Sequence, residues 1–441
     1  MRNHTMVVLG LLLSACVRPA LPGGGAGERA EKEATEKYQA AVAADPEFID
    51  AYVALTTLYR ANKPEEARAT LTKAEQQAQD SPPLKNQLGE AYLLLGDLKR
   101  AESYFRQVIE QAPTFYKARL NLAATLERSE RLEEADTVLR ELEATNKDLP
   151  GLAERHAGLA VSRRRLDEAV KHYDKALAEP QPRAALLVAA GNVNFTLGHH
   201  EQAKKLFAQA VVDDPRSLEA HLGLARVANT TGHAEEASYE ARRCLAIAES
   251  IEAHLEAGRA AEATGRGDVA KEEYTAAAKG STEFDARMGL ARLLVRSGAV
   301  RDALAELGRI IKVDHTRAEP YLLMGDCHEE MQEPARARAA YEDAVKRDLK
   351  NGEALFKLGR NLRDAGKQGV AADMLERAAK TGPVEGAWVP EALLLAGETY
   401  RSLGKREAAV RAYRRYLEVA PKTAPAREDV AKMLGDSPER R

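Results

Sequence analysis

Small and apolar positions recur along this chain with one long period. Alanine stands at Ala34, Ala67, Ala101, Ala135, Ala169, Ala203, Ala237, Ala270, Ala303, Ala337, Ala371 and Ala409. The step is 33 or 34 residues ten times, and 38 at the end. Other columns keep phase with it. Twelve residues earlier lies Gly or Ala, as at Gly89, Ala123, Gly191, Gly325 and Gly359. Five earlier, most units have Gly, as at Gly96, Gly198, Gly232, Gly298 and Gly366. Four later comes a large residue, as at Phe105, Tyr173, Phe207 and Tyr341, and Pro46, Pro113, Pro215, Pro383 and Pro421 close several units.

Each column has a mechanical cause. A period near 34 suits two helices and their turns, a unit that buries its apolar face only against its neighbours. The first Gly or Ala lets helix A approach helix B. The turn Gly takes the positive φ that ends helix A. The phased Ala marks the point where the two helices touch. The aromatic fills the gap toward the next unit, and Pro stops helix B because it cannot continue the hydrogen-bond ladder. The pattern predicts an all-α solenoid over residues 30–435. It would comprise a leading helix B over 30–44, about eleven full units, a closing helix over 424–434 and a short disordered tail over 436–441. Arg427, Glu428, Asp429 and Lys432 would face the closing helix toward water.

Gly89, Tyr92, Gly96, Ala101, Phe105 and Pro113 make the clearest unit, and with the other columns they resemble the tetratricopeptide repeat (TPR) family. The resemblance implies a right-handed superhelix with helix A lining a concave groove, and protein partners. It also implies that the position after the Gly/Ala column points inward. That position holds Glu90, Ala124, Gly158, Asn192, Arg226, Arg259, Arg292, Asp326, Arg360 and Glu398. Asn229, Arg296 and Arg363 lie one turn along the same helices. Asn192, Arg226, Asn229, Arg259, Arg292, Arg296, Arg360 and Arg363 are therefore a candidate cationic strip for an acidic segment or chain carboxylate, since the Arg fork grips carboxylates in two places. The competing reading pairs each Arg with a neighbouring acid such as Glu256, Glu262, Asp285 or Glu353. The Lys and Asn clamp of some family members is not reproduced, because Val188 and Gly223 flank Asn192.

The long last step holds an insertion over 381–390 with the sole tryptophan, Trp388. On a loop it is a candidate partner anchor; alternatively it plugs the widened joint between units.

Composition narrows the function. The chain has 441 residues, 44% hydrophobic and 5% aromatic, and a net charge of −3. Balanced charge argues against nucleic acid as a partner. The start is different in kind. The apolar run over residues 6–13 is too short to span a bilayer and follows Arg2. It ends in Leu13-Ser14-Ala15-Cys16, which resembles a bacterial lipobox. Residues 1–15 then read as a lipoprotein signal peptide, and Cys16 as the lipidated residue. Val17 in place of Asp favours the outer membrane, periplasmic face. Each buried methylene contributes about 0.8 kcal/mol, so several acyl chains anchor firmly where one does not. Residues 16–29 would be lipidated Cys and flexible tether, the Pro- and Gly-rich part spanning roughly 18 Å on average.

Catalytic motifs are missing. Gly265-Arg266-Gly267-Asp268 mimics a dinucleotide fingerprint, but no strand pattern precedes it and it runs into a phased Ala. His199, His200 and His233 fall at turns without acids or Cys at ligand spacing. Cys244 and Cys327 lie nearly three units apart, beyond the roughly 7 Å that a disulfide allows, and read as free thiols. No metal or cofactor is expected. The reading is a non-catalytic adaptor in an envelope complex such as pilus, secretion or gliding machinery. A polysaccharide or peptidoglycan binder is the alternative; its groove would show exposed aromatics.

Overall fold

The computed structural model describes residues 25–45, 48–60, 63–77, 81–180, 184–279, 283–381 and 388–435. Among these there are 24 α-helices and no strand, an all-α solenoid. A leading helix, α1 (Gly25–Ala44), precedes eleven pairs of an A and a B helix. The first six pairs are α2/α3 (Ile49–Tyr59, Pro64–Gln77), α4/α5 (Pro82–Leu95, Leu98–Gln111), α6/α7 (Tyr116–Arg128, Leu132–Thr145), α8/α9 (Leu152–Ser162, Leu166–Leu177), α10/α11 (Ala184–Thr196, His200–Asp213) and α12/α13 (Leu218–Thr230, Ala234–Ile247). Then come α14/α15 (Ile251–Ala263, Gly267–Ala277), α16/α17 (Glu283–Arg296, Val300–Val313), α18/α19 (Glu319–Glu330, Pro334–Arg347), α20/α21 (Gly352–Asp364, Gln368–Thr381) and α22/α23 (Val389–Ser402, Arg406–Val419). A closing helix, α24 (Arg427–Gly435), ends the series. The helices sort into two compact units, Met1–Ala260 and Ala261–Arg441.

In the first unit, α5 packs on α4 and then on α6, and α11 packs on α10 and then on α12. The phased alanines make this possible. Ala67, Ala101, Ala169, Ala203 and Ala237 are fully buried. Phe207, 1% exposed, lies between two helices: a methyl added at Gly191 of its own pair would fall 2.7 Å from its ring, and one at Gly223 of the next A helix 2.5 Å. Both glycines are small because Phe207 occupies the space a side chain would need.

In the second unit, α21 packs on α20 and α22 in the same manner. Ala303, Ala337 and Ala371 are fully buried, and Tyr341 fills the slot over Gly325. The core here runs through Phe356, Leu375 and Tyr413 to Val430 of α24, so the closing helix seals the last pair.

Three details depart from the sequence pattern. Helix α1 starts at Gly25, five residues before the expected 30, so residues 25–29 of the expected tether are helical. The closing helix starts at Arg427 rather than 424, since Pro425 disfavours helix at the residue before it. Most informative are the turns. Gly96, Gly198, Gly232, Gly298, Gly366 and Gly404 have φ between 71° and 80°. Where Gly is missing, Glu130, Arg164 and Gln332 take φ of 60°, 58° and 59° instead. The next residue closes the same bond five residues back, as Asp97 N–H does to Tyr92 O (3.0 Å) and Arg131 N–H to Leu126 O (2.9 Å).

Candidate binding face

The A helices place their inward positions in register, because equal phase on successive units means equal height on successive helices. Polar side chains at those positions therefore meet across a sequence gap of about one repeat.

In the first unit the Oε1 of Glu90 on α4 accepts from Asn86 on its own helix and from Asn121 and Lys117 on α6, each at 2.8 Å. Glu127 on α6 accepts from the Ser162 hydroxyl of α8 at 2.5 Å. Glu256 of α14 is 2% exposed and heavily held. Its Oε1 accepts from Arg259 Nη1 at 2.9 Å and lies 3.8 Å from Arg226 Nε. Its Oε2 accepts from Asn229 Nδ2 of α12 at 2.8 Å. A carboxylate this buried is tolerable only with such partners.

The second unit repeats the arrangement. Arg296 of α16 donates to Glu262, which also accepts from the Tyr274 hydroxyl. Lys357 of α20 donates to both oxygens of Asp326 on α18, at 2.8 and 2.7 Å, and lies 2.9 Å from Glu353. Burial alone would lower the Lys357 pKa, but Asp326 and then Glu353 hold it above the usual range. The Tyr341 hydroxyl donates to the same Asp326 at 2.8 Å, and burial, followed by the Asp326 charge, pushes it well above the usual phenol range. Arg360 donates to Glu329 at 2.6 Å, and Arg363 reaches Glu398 at 3.3 Å.

The cationic strip expected from sequence is thus a ladder of ion pairs. Arg226, Asn229, Arg259, Arg296, Arg360 and Arg363 are each engaged by an acid of their own or a neighbouring A helix. Glu256 and Glu262 act as partners as anticipated; Glu353 serves Lys357 instead. Two members differ. Arg292 is exposed and forms no ion pair among the described residues, and the exposed Asn192 side chain has no hydrogen-bond partner among them.

Trp388 is not an exposed anchor. It is half-buried at the start of α22 and stacks on Phe356, with centroids 6.0 Å apart and planes 20° apart. Phe356 is itself buried and carries the Arg360 guanidinium 5.7 Å from its ring. That stacking is the contact expected of a side chain that fills the joint between units. Cys16, the signal and most of the tether, the insertion over 382–387 and the tail over 436–441 lie outside the described residues.

Cys244 and Cys327 are free and buried, and burial raises their thiols to about 12 and about 11. No cluster of three or more His, Cys, Asp or Glu among the described residues could hold a metal ion. No helix among them is long and apolar enough to cross a membrane. One feature escaped the sequence reading altogether. His156 and His172 stack within one helix pair, although nothing in their spacing of sixteen residues marks them, because the contact depends on the turn between the helices.

Family models described as tetratricopeptide repeat match residues 52–114, 188–249, 255–318 and 322–386, and further such models match 92–153 and 390–423. Among solved structures, "Crystal structure of MamA" is similar at 23% identity and TM-score 0.33, covering 40% of this chain and 96% of that one. "Crystal structure of PilW, widely conserved type IV pilus biogenesis factor" is similar at 20% identity and TM-score 0.41, covering 45% and 92%. No curated protein matches. With repeat matches over more than half of its length, in phase with the buried alanines and the positive-φ turns, the chain belongs to the tetratricopeptide repeat family.

Proposed function

We propose that this chain is a non-catalytic protein-interaction scaffold, tied through lipidated Cys16 to the periplasmic face of a bacterial outer membrane, and that it assembles an envelope complex of the pilus, secretion or gliding kind. The observation that carries the binding role is the A-helix face. Within each unit its polar side chains are largely paired among themselves, and Asn192 in the first unit and Arg292 in the second are exposed without such a partner among the described residues. Self-pairing means that a partner is recognised by what it adds at open positions and by shape, rather than by a general excess of positive charge. The membrane role rests on the lipobox-like run ahead of Cys16. The inward A-helix positions, from Glu90 and Ala124 through Arg292 to Arg360 and Glu398, hold no aromatic residue for sugar stacking, which favours protein over polysaccharide.

Crosslinked capture from envelopes, with mass spectrometry, tests both roles. The Arg292→Glu variant should lose a partner that the wild type retains, while keeping its helical content. The Cys16→Ala variant should leave the membrane fraction. Partner recovery unchanged by Arg292→Glu refutes the assigned contact, and an unaltered distribution of Cys16→Ala refutes the anchor.

A further inference from the structure

His156 on α8 and His172 on α9 face each other with ring centroids 5.0 Å apart and planes 18° apart. The His156 side chain is 12% exposed, and its Nε2 is buried without a hydrogen-bond partner. Such an atom is tolerated in a neutral imidazole as an unfilled acceptor and becomes a buried cationic donor once protonated. We infer that this stacked imidazole pair is an acid-sensitive joint, which loosens the α8/α9 hairpin when the surroundings turn mildly acidic.

The acids around the pair offset only part of the cost of burying a positive charge. From α7, Glu143 Oε2 stands 3.6 Å from His156 Nε2, beyond a hydrogen bond but within ion-pair range of a protonated ring, and that side chain is 47% exposed, so water weakens the attraction. Asp136 of α7 is already taken by Arg140 (2.6 Å) and Arg163 (3.3 Å). From α9, Glu168 would favour the charged forms and Lys175 opposes them. On α8 itself, Glu154 and Arg155 lie within 3.7 Å of each other. From α6, Glu127 is bound to Ser162. The α10 helix, which packs on α9, has no charged residue. Burial lowers the pKa of both histidines, and at His172 the His156 charge lowers it further.

The sign follows. A histidine whose pKa is depressed by folding binds fewer protons folded than unfolded. Stability is therefore full above the unfolded value of about 6.5 and is lost as pH falls from there toward the folded pKa. Stacked rings make the second proton harder to place than the first. Repeats lean only on their neighbours, so opening this pair also frees the flanks of α7 and α10 and interrupts the A-helix face of the first unit.

Hydrogen exchange on the full chain at pH 7.5 and 5.0, corrected for intrinsic rates, tests the joint against α4 and α5 as an internal standard. In the wild type, protection of α8 and α9 should fall relative to α4 and α5 between the two pH values, because opening takes up protons. In His156→Phe/His172→Phe, which keeps a stacked ring pair without titration, that differential loss should vanish. Equal pH dependence in wild type and variant overturns the inference, as does a wild type in which α8 and α9 track α4 and α5. Should the double variant not fold, imidazole NMR titration of the wild type decides alone: values at or above about 6.5 for both rings overturn it.

Discussion

At the scale of single residues, the turns between helices A and B are the clearest demonstration of conformational selection in this chain. Glu130, Arg164 and Gln332 hold the same left-handed backbone as the turn glycines, at a cost of about 1–2 kcal/mol that Gly does not incur. Part of that gain is offset, because Gly also enlarges the unfolded ensemble. Glu130→Gly, Arg164→Gly and Gln332→Gly should each stabilise their repeat by about 0.5–1 kcal/mol, and Gly232→Ala should destabilise by a similar amount. Local opening energies from hydrogen exchange check this, and a loss on Glu130→Gly would contradict it. The same scale contains the buried thiols. Thiolate is the reactive form, and burial holds Cys244 near 12 and Cys327 near 11. Iodoacetamide at pH 8 followed by peptide mapping should leave both unmodified in the folded chain and label both in denaturant.

At the scale of elements, the repeat was legible in sequence because its columns are steric. A 0%-exposed Ala101 or a Gly191 under Phe207 has almost no substitute, so phase alone locates it. The ion-pair ladder was only half legible. Arg at an inward position looks the same whether it awaits a partner or is paired, and its acid often lies on a neighbouring A helix, as Glu329 does for Arg360 and Glu398 for Arg363. Charge on whole helices was the missing signal. Helix α18 carries Glu319, Asp326, Glu329 and Glu330 without a Lys or Arg, and α20 beside it carries Lys357, Arg360 and Arg363 against Glu353 and Asp364. The alternation ties α18 to α20 in one register. Lys357 is the best test, since its side chain is 17% exposed and contacts two carboxylates. Lys357→Met leaves Asp326 with the Tyr341 hydroxyl and no cation, and should weaken α20 by about 1–3 kcal/mol. Adding Asp326→Leu should recover much of the loss, because the uncompensated charge goes with it. Additive losses in that double-mutant cycle would show that the pair is incidental. Trp388 was ambiguous for a related reason: the sequence shows that the insertion exists, while the stacking on Phe356 depends on where the next A helix resumes.

At the scale of the molecule, a stack of repeats differs from a globular core in how damage spreads. Each pair touches only its neighbours, so stability is close to a sum of local and nearest-neighbour contributions. The closing helix offers a clean case. Val430 is 1% exposed and joins the core that contains Tyr413 and Tyr416 of α23, with Leu434 packed against it. Deleting residues 424–441 uncovers those aromatics, and fully burying one such side chain contributes about 1.5–3 kcal/mol. The truncated chain should therefore lose about 2–3 kcal/mol of protection in α22 and α23. In a cooperative globule the same loss would appear at every slowly exchanging amide. In this stack it should fade within one further pair, so that α18 and α19 exchange as in the full chain. Hydrogen exchange resolved by helix separates the two behaviours, and a uniform loss down to α18 would mean that the second unit unfolds as one body rather than repeat by repeat.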